Sequence, residues 1–271
     1  MNVEEYLAAV DRAYGEYTGV ALERRLLALA EDCGAEHGKT SALYASMLSE
    51  VGAFYRGQAR YEESAEYFRR TIALLKDAVG ENSPDYTTAL NNLAGTYRQM
   101  RRFDDAEALF AQCLESYAAS VGTRHILYAS GLNNLSLVCL ARGDTARAGE
   151  LLRKSSDILA VLPECRDEYA ASLCNIGALC CQLGQYAQAE SALREALELF
   201  EQELGTDTPH YHAAWNTLGI VFYYQKDYVQ AESCFRAAYE AAERLYGAEH
   251  RETVSALQAL ELVQRKLEET T

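Results

Sequence analysis

Proline is scarce in this sequence, three in 271 residues, and tryptophan occurs once. With only seventeen glycines and with Ala, Leu and Glu abundant, such a chain excludes short strands joined by Pro/Gly turns and favours long helices linked by brief ones. Long apolar runs are also missing. No window reaches the ~18 uninterrupted apolar residues that a spanning helix needs, and Glu4, Glu5, Asp11 and Glu16 interrupt the first thirty positions before a signal-peptide core is built. Positive charge is in deficit: 25 basic side chains against 40 acidic ones give a formal charge of −15. That field repels phosphate backbones and anionic lipid, so nucleic acid and membrane are not expected partners. The eight cysteines contain no C-x-x-C pair and fall at helical positions, which suits a reducing compartment, here the cytoplasm, better than a disulfide or zinc framework.

What is present is repetition. Val51, Leu93, Leu135, Ile176, Leu218 and Leu260 recur at intervals of 42, 42, 41, 42 and 42 residues. The short interval falls where Leu162-Pro163 replaces the Val-Gly or Leu-Gly of the other units. Leu48, Leu90, Leu132, Leu173, Trp215 and Leu257 stand three residues earlier; Tyr55, Tyr97, Cys139, Cys180 and Phe222 stand four later. A small-residue column, Ser64, Ala106, Ala148, Ala189 and Ala231, is followed four positions on by Phe68, Phe110, Leu152, Leu193 and Phe235. Spacings of three and four mark one face of a helix, and Leu183-Gly184-Gln185-Tyr186 marks a tight turn between two such helices, so each unit reads as a helical hairpin. Ser83-Pro84 and Thr208-Pro209 supply an N-cap and a first-turn proline, and Gly80, Gly122, Gly205 and Gly247 are placed to end units as left-handed C-caps.

Trp215-Asn-Thr-Leu218-Gly219-Ile-Val-Phe222 followed by Ala231-x-x-x-Phe235 resembles the tetratricopeptide (TPR) pattern, with Phe for Tyr. The period exceeds the usual value of about 34 by roughly two helical turns. This longer form, with its Leu-Asn-Asn-Leu openings, resembles the array of kinesin light chains. The resemblance implies an all-α, right-handed α-solenoid of stacked antiparallel hairpins, with first helices lining the inside. The expected organisation is a single continuous domain: a degenerate capping hairpin over 1–33, five hairpins over 34–247 and a capping helix over 248–271. In that last helix Glu261 and Gln264 replace small and aromatic residues.

The resemblance also implies that residues just before the second leucine face the channel. Asn92, Asn134 and Asn175 fill one such position; Asn91, Asn133 and Asn216 fill the next. An amide offers donor and acceptor together, as an extended peptide main chain requires, although the same ladder also serves to bond adjacent hairpins. Further along the channel come Arg56, Arg98, Leu137, Ile220, Tyr223 and Tyr224, a gradient from basic to apolar and aromatic. It suggests a protein or peptide partner with an acidic group and bulky apolar side chains. Helix-end placement is the alternative for the arginines, and packing against the next hairpin for the tyrosines. Thr88, Ser130 and Ala213 stand where chaperone-binding relatives need lysine, which disfavours that partner class.

No catalytic constellation emerges. His210 and His212 are two apart, unlike an i, i+4 metal pair, and with His125 and His250 read as turn and cap residues. No cofactor is expected. The leading reading is a noncatalytic interaction module; the alternative is a regulatory sensor that changes shape on binding a signalling peptide or small ligand. Neither reading sets an oligomeric state.

Overall fold

The computed structural model describes residues 1–270, and among them every regular element is helical. The chain divides into two compact units, 1–142 and 143–271 by residue number, where the sequence suggests one continuous domain; the division falls at the Arg142-Gly143 turn inside the third repeat.

The first unit comprises α1 (Val3–Glu16), α2 (Gly19–His37), α3 (Ala42–Gly57), α4 (Tyr61–Val79), α5 (Pro84–Gln99), α6 (Phe103–Ser120) and α7 (Ile126–Ala141). The second comprises α8 (Thr145–Leu159), a short 3-10 turn (Pro163–Cys165), α9 (Arg166–Gln182), α10 (Tyr186–Leu199), a π-helical extension (Phe200–Leu204), α11 (Pro209–Tyr224), α12 (Tyr228–Tyr246) and α13 (Arg251–Thr270). Within each unit consecutive helices pack on one another as antiparallel hairpins, the stacked arrangement of an α-solenoid. The expected limit at residue 33 lies inside α2, whose Cys33 and Gly34 are both buried.

The columns read from the sequence are the core. Ser64, Ala106, Ala148, Ala189 and Ala231 are all fully buried, and Phe68, Phe110, Leu152 and Leu193 beside them are equally enclosed. Small side chains at these crossings let backbones approach while the large one fills the space alongside. Burying each Phe or Leu contributes roughly 1.5–3 kcal/mol. Leu257 departs from its column: its counterparts in the earlier repeats pack inside, whereas Leu257 is exposed.

Helix starts follow the cap residues. Ser41, Ser83 and Thr208 accept from the backbone N–H three residues on, and His125 accepts from that of Leu127. The turns inside hairpins close by a bond from the N–H of Arg60, Arg102, Gln185 and Asp227 to the carbonyl five residues back. Their positive-φ position is taken by Gly143 and Gly184, but also by Ala59, Arg101 and Lys226. The glycines between successive hairpins differ from the expected left-handed caps. Gly80, Gly205 and Gly247 have φ of 84°, 90° and 85° with ψ near extended (163°, 157° and 162°), a region open essentially to glycine alone.

Candidate functional site

In the first unit, α3, α5 and α7 together line a cleft of about 610 Å³. From α3 come Ala53, Arg56 and Gly57; from α5 Asn91, Asn92, Gly95, Arg98 and Gln99; from α7 Ser130 and Asn134. All three are first helices of their hairpins, so residues about 42 apart in sequence converge through the repeat itself. The small residues make the room. At Gly95 a Cβ would lie 3.2 Å from Arg56 Nη1, so glycine there admits the guanidinium against the backbone of α5.

Arg56 donates from Nη1 to the carbonyl of Asn92 at 3.3 Å and to Asn92 Oδ1 at 3.5 Å, and it lies 5.5 Å from the centre of the Phe68 ring. Neither Arg56 nor Arg98 forms an ion pair among the described residues. Burial lowers the pKa of both, and for Arg56 the charge of Arg98 lowers it further, so each cation sits in a setting that disfavours it. Asn134 Nδ2 donates to Asn91 Oδ1 at 3.4 Å, which joins α7 to α5. These amide contacts are at the long end of the hydrogen-bond range and leave most donor and acceptor capacity of the amides open to the cleft.

A second, apolar cleft of about 340 Å³ lies within the second unit, lined by Asn216, Ile220, Tyr223 and Tyr224 of α11, Phe235 of α12, and Ser255, Ala259 and Leu262 of α13. Tyr223 is half-buried and meets the Tyr228 ring edge-on at 5.5 Å. Tyr224 is 61% exposed and stacks on Tyr186 at 6.0 Å. The carboxylates of the wider surface are absent from both linings.

The structure thus gathers Arg56, Arg98, Asn91, Asn92 and Asn134 in one cleft and Asn216, Ile220, Tyr223 and Tyr224 in another. Asn133, Leu137 and Asn175 are half-buried on α7 and α9 and line neither. Sequence reasoning missed Leu262 as a wall of the apolar cleft, although it stands two positions beyond Leu260 as Ile220 does beyond Leu218, so the column carried the signal. His125 and His250 cap as expected, through Nδ1. His212 does not: it is buried on α11, edge-on to Tyr246 at 6.1 Å.

A family model described as tetratricopeptide repeat matches residues 43–119, 85–160, 127–202, 168–228 and 210–271. No curated protein matches the chain. Among solved structures, a set of TPR-like repeats from a Podosopora anserina kinesin light chain is 18% identical to this chain, with a TM-score of 0.58 over 73% of this chain and 93% of that one. NprR in complex with its cognate peptide NprX is 16% identical, with a TM-score of 0.67 over 99% of this chain and 74% of the other. A Rap protein complexed with Competence and Sporulation Factor is 14% identical, also at 0.67, over 98% and 76%.

Proposed function

The chain belongs to the tetratricopeptide repeat family, and from that premise we propose that it binds a peptide segment or helix of a partner protein along the inner faces of its first helices. One observation carries the reading: two arginines without carboxylate partners among the described residues and three asparagines converge on a single cleft from successive first helices. In a chain of net charge −15 this is a local reversal of sign, suited to an acidic group on the ligand. The amides beside it suit a peptide main chain, and the tyrosine-lined cleft of the second unit suits a bulky apolar side chain. The fold supports protein interaction; NprR bound to its cognate peptide and Rap bound to Competence and Sporulation Factor share it, and the first favours a peptide as the ligand class. They also favour a second reading, a sensor that changes conformation on binding a signalling peptide.

The test is capture of partners from lysate by the intact chain, beside its Arg98→Glu and Tyr223→Ala variants, with melting curves for all three. Partners retained by the parent and lost by either variant at an unchanged melting temperature support the groove. Retention unaltered by both substitutions moves the interaction off these faces.

A further inference from the structure

The cleft between α3, α5 and α7 has more positive charge than one carboxylate neutralises. Arg56 and Arg98 bring two formal charges; the remaining polar lining comprises amides and the Ser130 hydroxyl, and contains no acid. Together the two guanidinium groups carry ten N–H donors, and the hydrogen bonds of Arg56 with Asn92 engage only Nη1. Aromatic and aliphatic lining, which dominates the second unit's cleft, is reduced here to Ala53 and two glycines. The cleft is therefore rich in donors, doubly cationic and almost without apolar surface. A carboxylate would cancel one charge and accept through two oxygens. A phosphomonoester carries about −1.5 to −2 at neutral pH and presents three strong acceptor oxygens, and arginine clusters recognise it in several unrelated folds.

We infer that Arg56 and Arg98 form a subsite for a phosphomonoester dianion, held between the two guanidinium groups with the Asn91, Asn92 and Asn134 amides around it. The inference rests on the peptide-binding reading for the form of the ligand, a phosphorylated side chain on the bound segment; the same chemistry on a free small molecule would use the same groups. Gly95 is part of the device, because a side chain there would press on Arg56.

The experiment uses the full chain, immobilised, and three degenerate nonapeptide libraries with phosphoserine, glutamate or serine at the centre; inorganic phosphate is titrated separately and followed by the side-chain Nε–Hε resonances of arginine. The expected result is retention of the phosphoserine library at least about tenfold above the other two, lost in both Arg56→Gln and Arg98→Gln. Gly95→Ala is the backup should either arginine variant melt early, and it should weaken retention in a chain whose cations are intact. Equal retention of the glutamate library overturns the phosphate assignment while leaving the acidic-peptide reading in place. Shifts of arginine resonances by inorganic phosphate without retention of any library keep the subsite and overturn the peptide reading. Absence of both, or retention indifferent to the arginine substitutions, overturns the subsite.

Discussion

At the scale of single residues, His212 is the side chain whose surroundings differ most from the sequence reading. Its place two residues after His210 and near Pro209 suggested a turn, but the first turn of α11 is capped by Thr208, and His212 falls one turn further in, on the core side. Neither ring nitrogen finds a hydrogen-bond partner in the structure. Burial lowers its pKa, opposed in part by Glu252; the stacked pair Tyr246 and His250 lies on the same side, and partial desolvation lowers that of the more exposed His210 as well. A histidine held neutral in the folded state protonates more readily once unfolded. Its contribution is therefore complete above the unfolded pKa of about 6.5 and is lost as the pH falls below that value. Thermal melts at pH 7.5 and 5.5 should show the native chain losing stability on acidification. His212→Phe, which keeps the edge-on contact with Tyr246 and sacrifices no hydrogen bond, should lose less over the same interval. An equal loss in both would assign the acid sensitivity elsewhere.

At the scale of elements, the crossing of first and second helices is set by the residue after each reference leucine. Gly52, Ala94, Ser136, Gly177 and Gly219 occupy this position, and at the three glycines the large side chain of the partner helix lies against it. The fit is not uniform. At Gly177 a Cβ would stand 2.5 Å from Leu193 Cγ, and at Gly219 2.8 Å from the Phe235 ring, whereas Gly52 leaves 3.1 Å to Phe68. Gly177→Ala should therefore destabilise the chain by about 1–3 kcal/mol through overpacking. Gly15→Ala, in α1 with nothing within 4 Å of the added atom, should stabilise by about 0.5–1 kcal/mol through the unfolded state. Urea denaturation of the two variants separates these opposite signs. The elements themselves were legible because buried positions repeat every 42 residues, so Leu48, Val51 and Tyr55 mark in one hairpin what Leu90, Leu93 and Tyr97 mark in the next. The closeness of α9 to α10 was not legible, since Ala94, Ser136 and Gly177 are interchangeable as small residues until distances are known. The conformation of Gly80 and its equivalents was hidden likewise: sequence indicates positive φ, while ψ follows from where the next hairpin must begin.

At the scale of the molecule, the two units carry unlike clefts, one cationic and polar, the other aromatic and apolar. The unlike character of the two clefts was visible in the sequence, in Arg56 and Arg98 on early first helices and Tyr223 and Tyr224 on a later one; the division after Arg142 was not, because the 42-residue columns run through it unbroken. Leu137 and Asn175 show the limit of column reasoning, since a shared register position gives a shared helix face without making every residue on it part of a cleft. The charges act over two ranges. In the proposed complex the net −15 would repel an acidic ligand at a distance, while Arg56 and Arg98 would attract it at contact. Added salt screens the first effect before the second, since the Debye length falls from about 30 Å at 0.01 M to about 8 Å at 0.15 M, whereas a half-buried pair is screened less. For an acidic peptide the association rate constant should therefore rise with salt over this range, by roughly two- to fivefold, the reverse of a ligand steered by the overall field. The dissociation rate constant should rise more weakly, and Arg98→Gln should raise it further while leaving the salt dependence of association nearly unchanged. Stopped-flow fluorescence at several salt concentrations measures both constants; association that slows steadily with salt would mean the arginine cleft governs the encounter from long range, against the charge of the whole molecule.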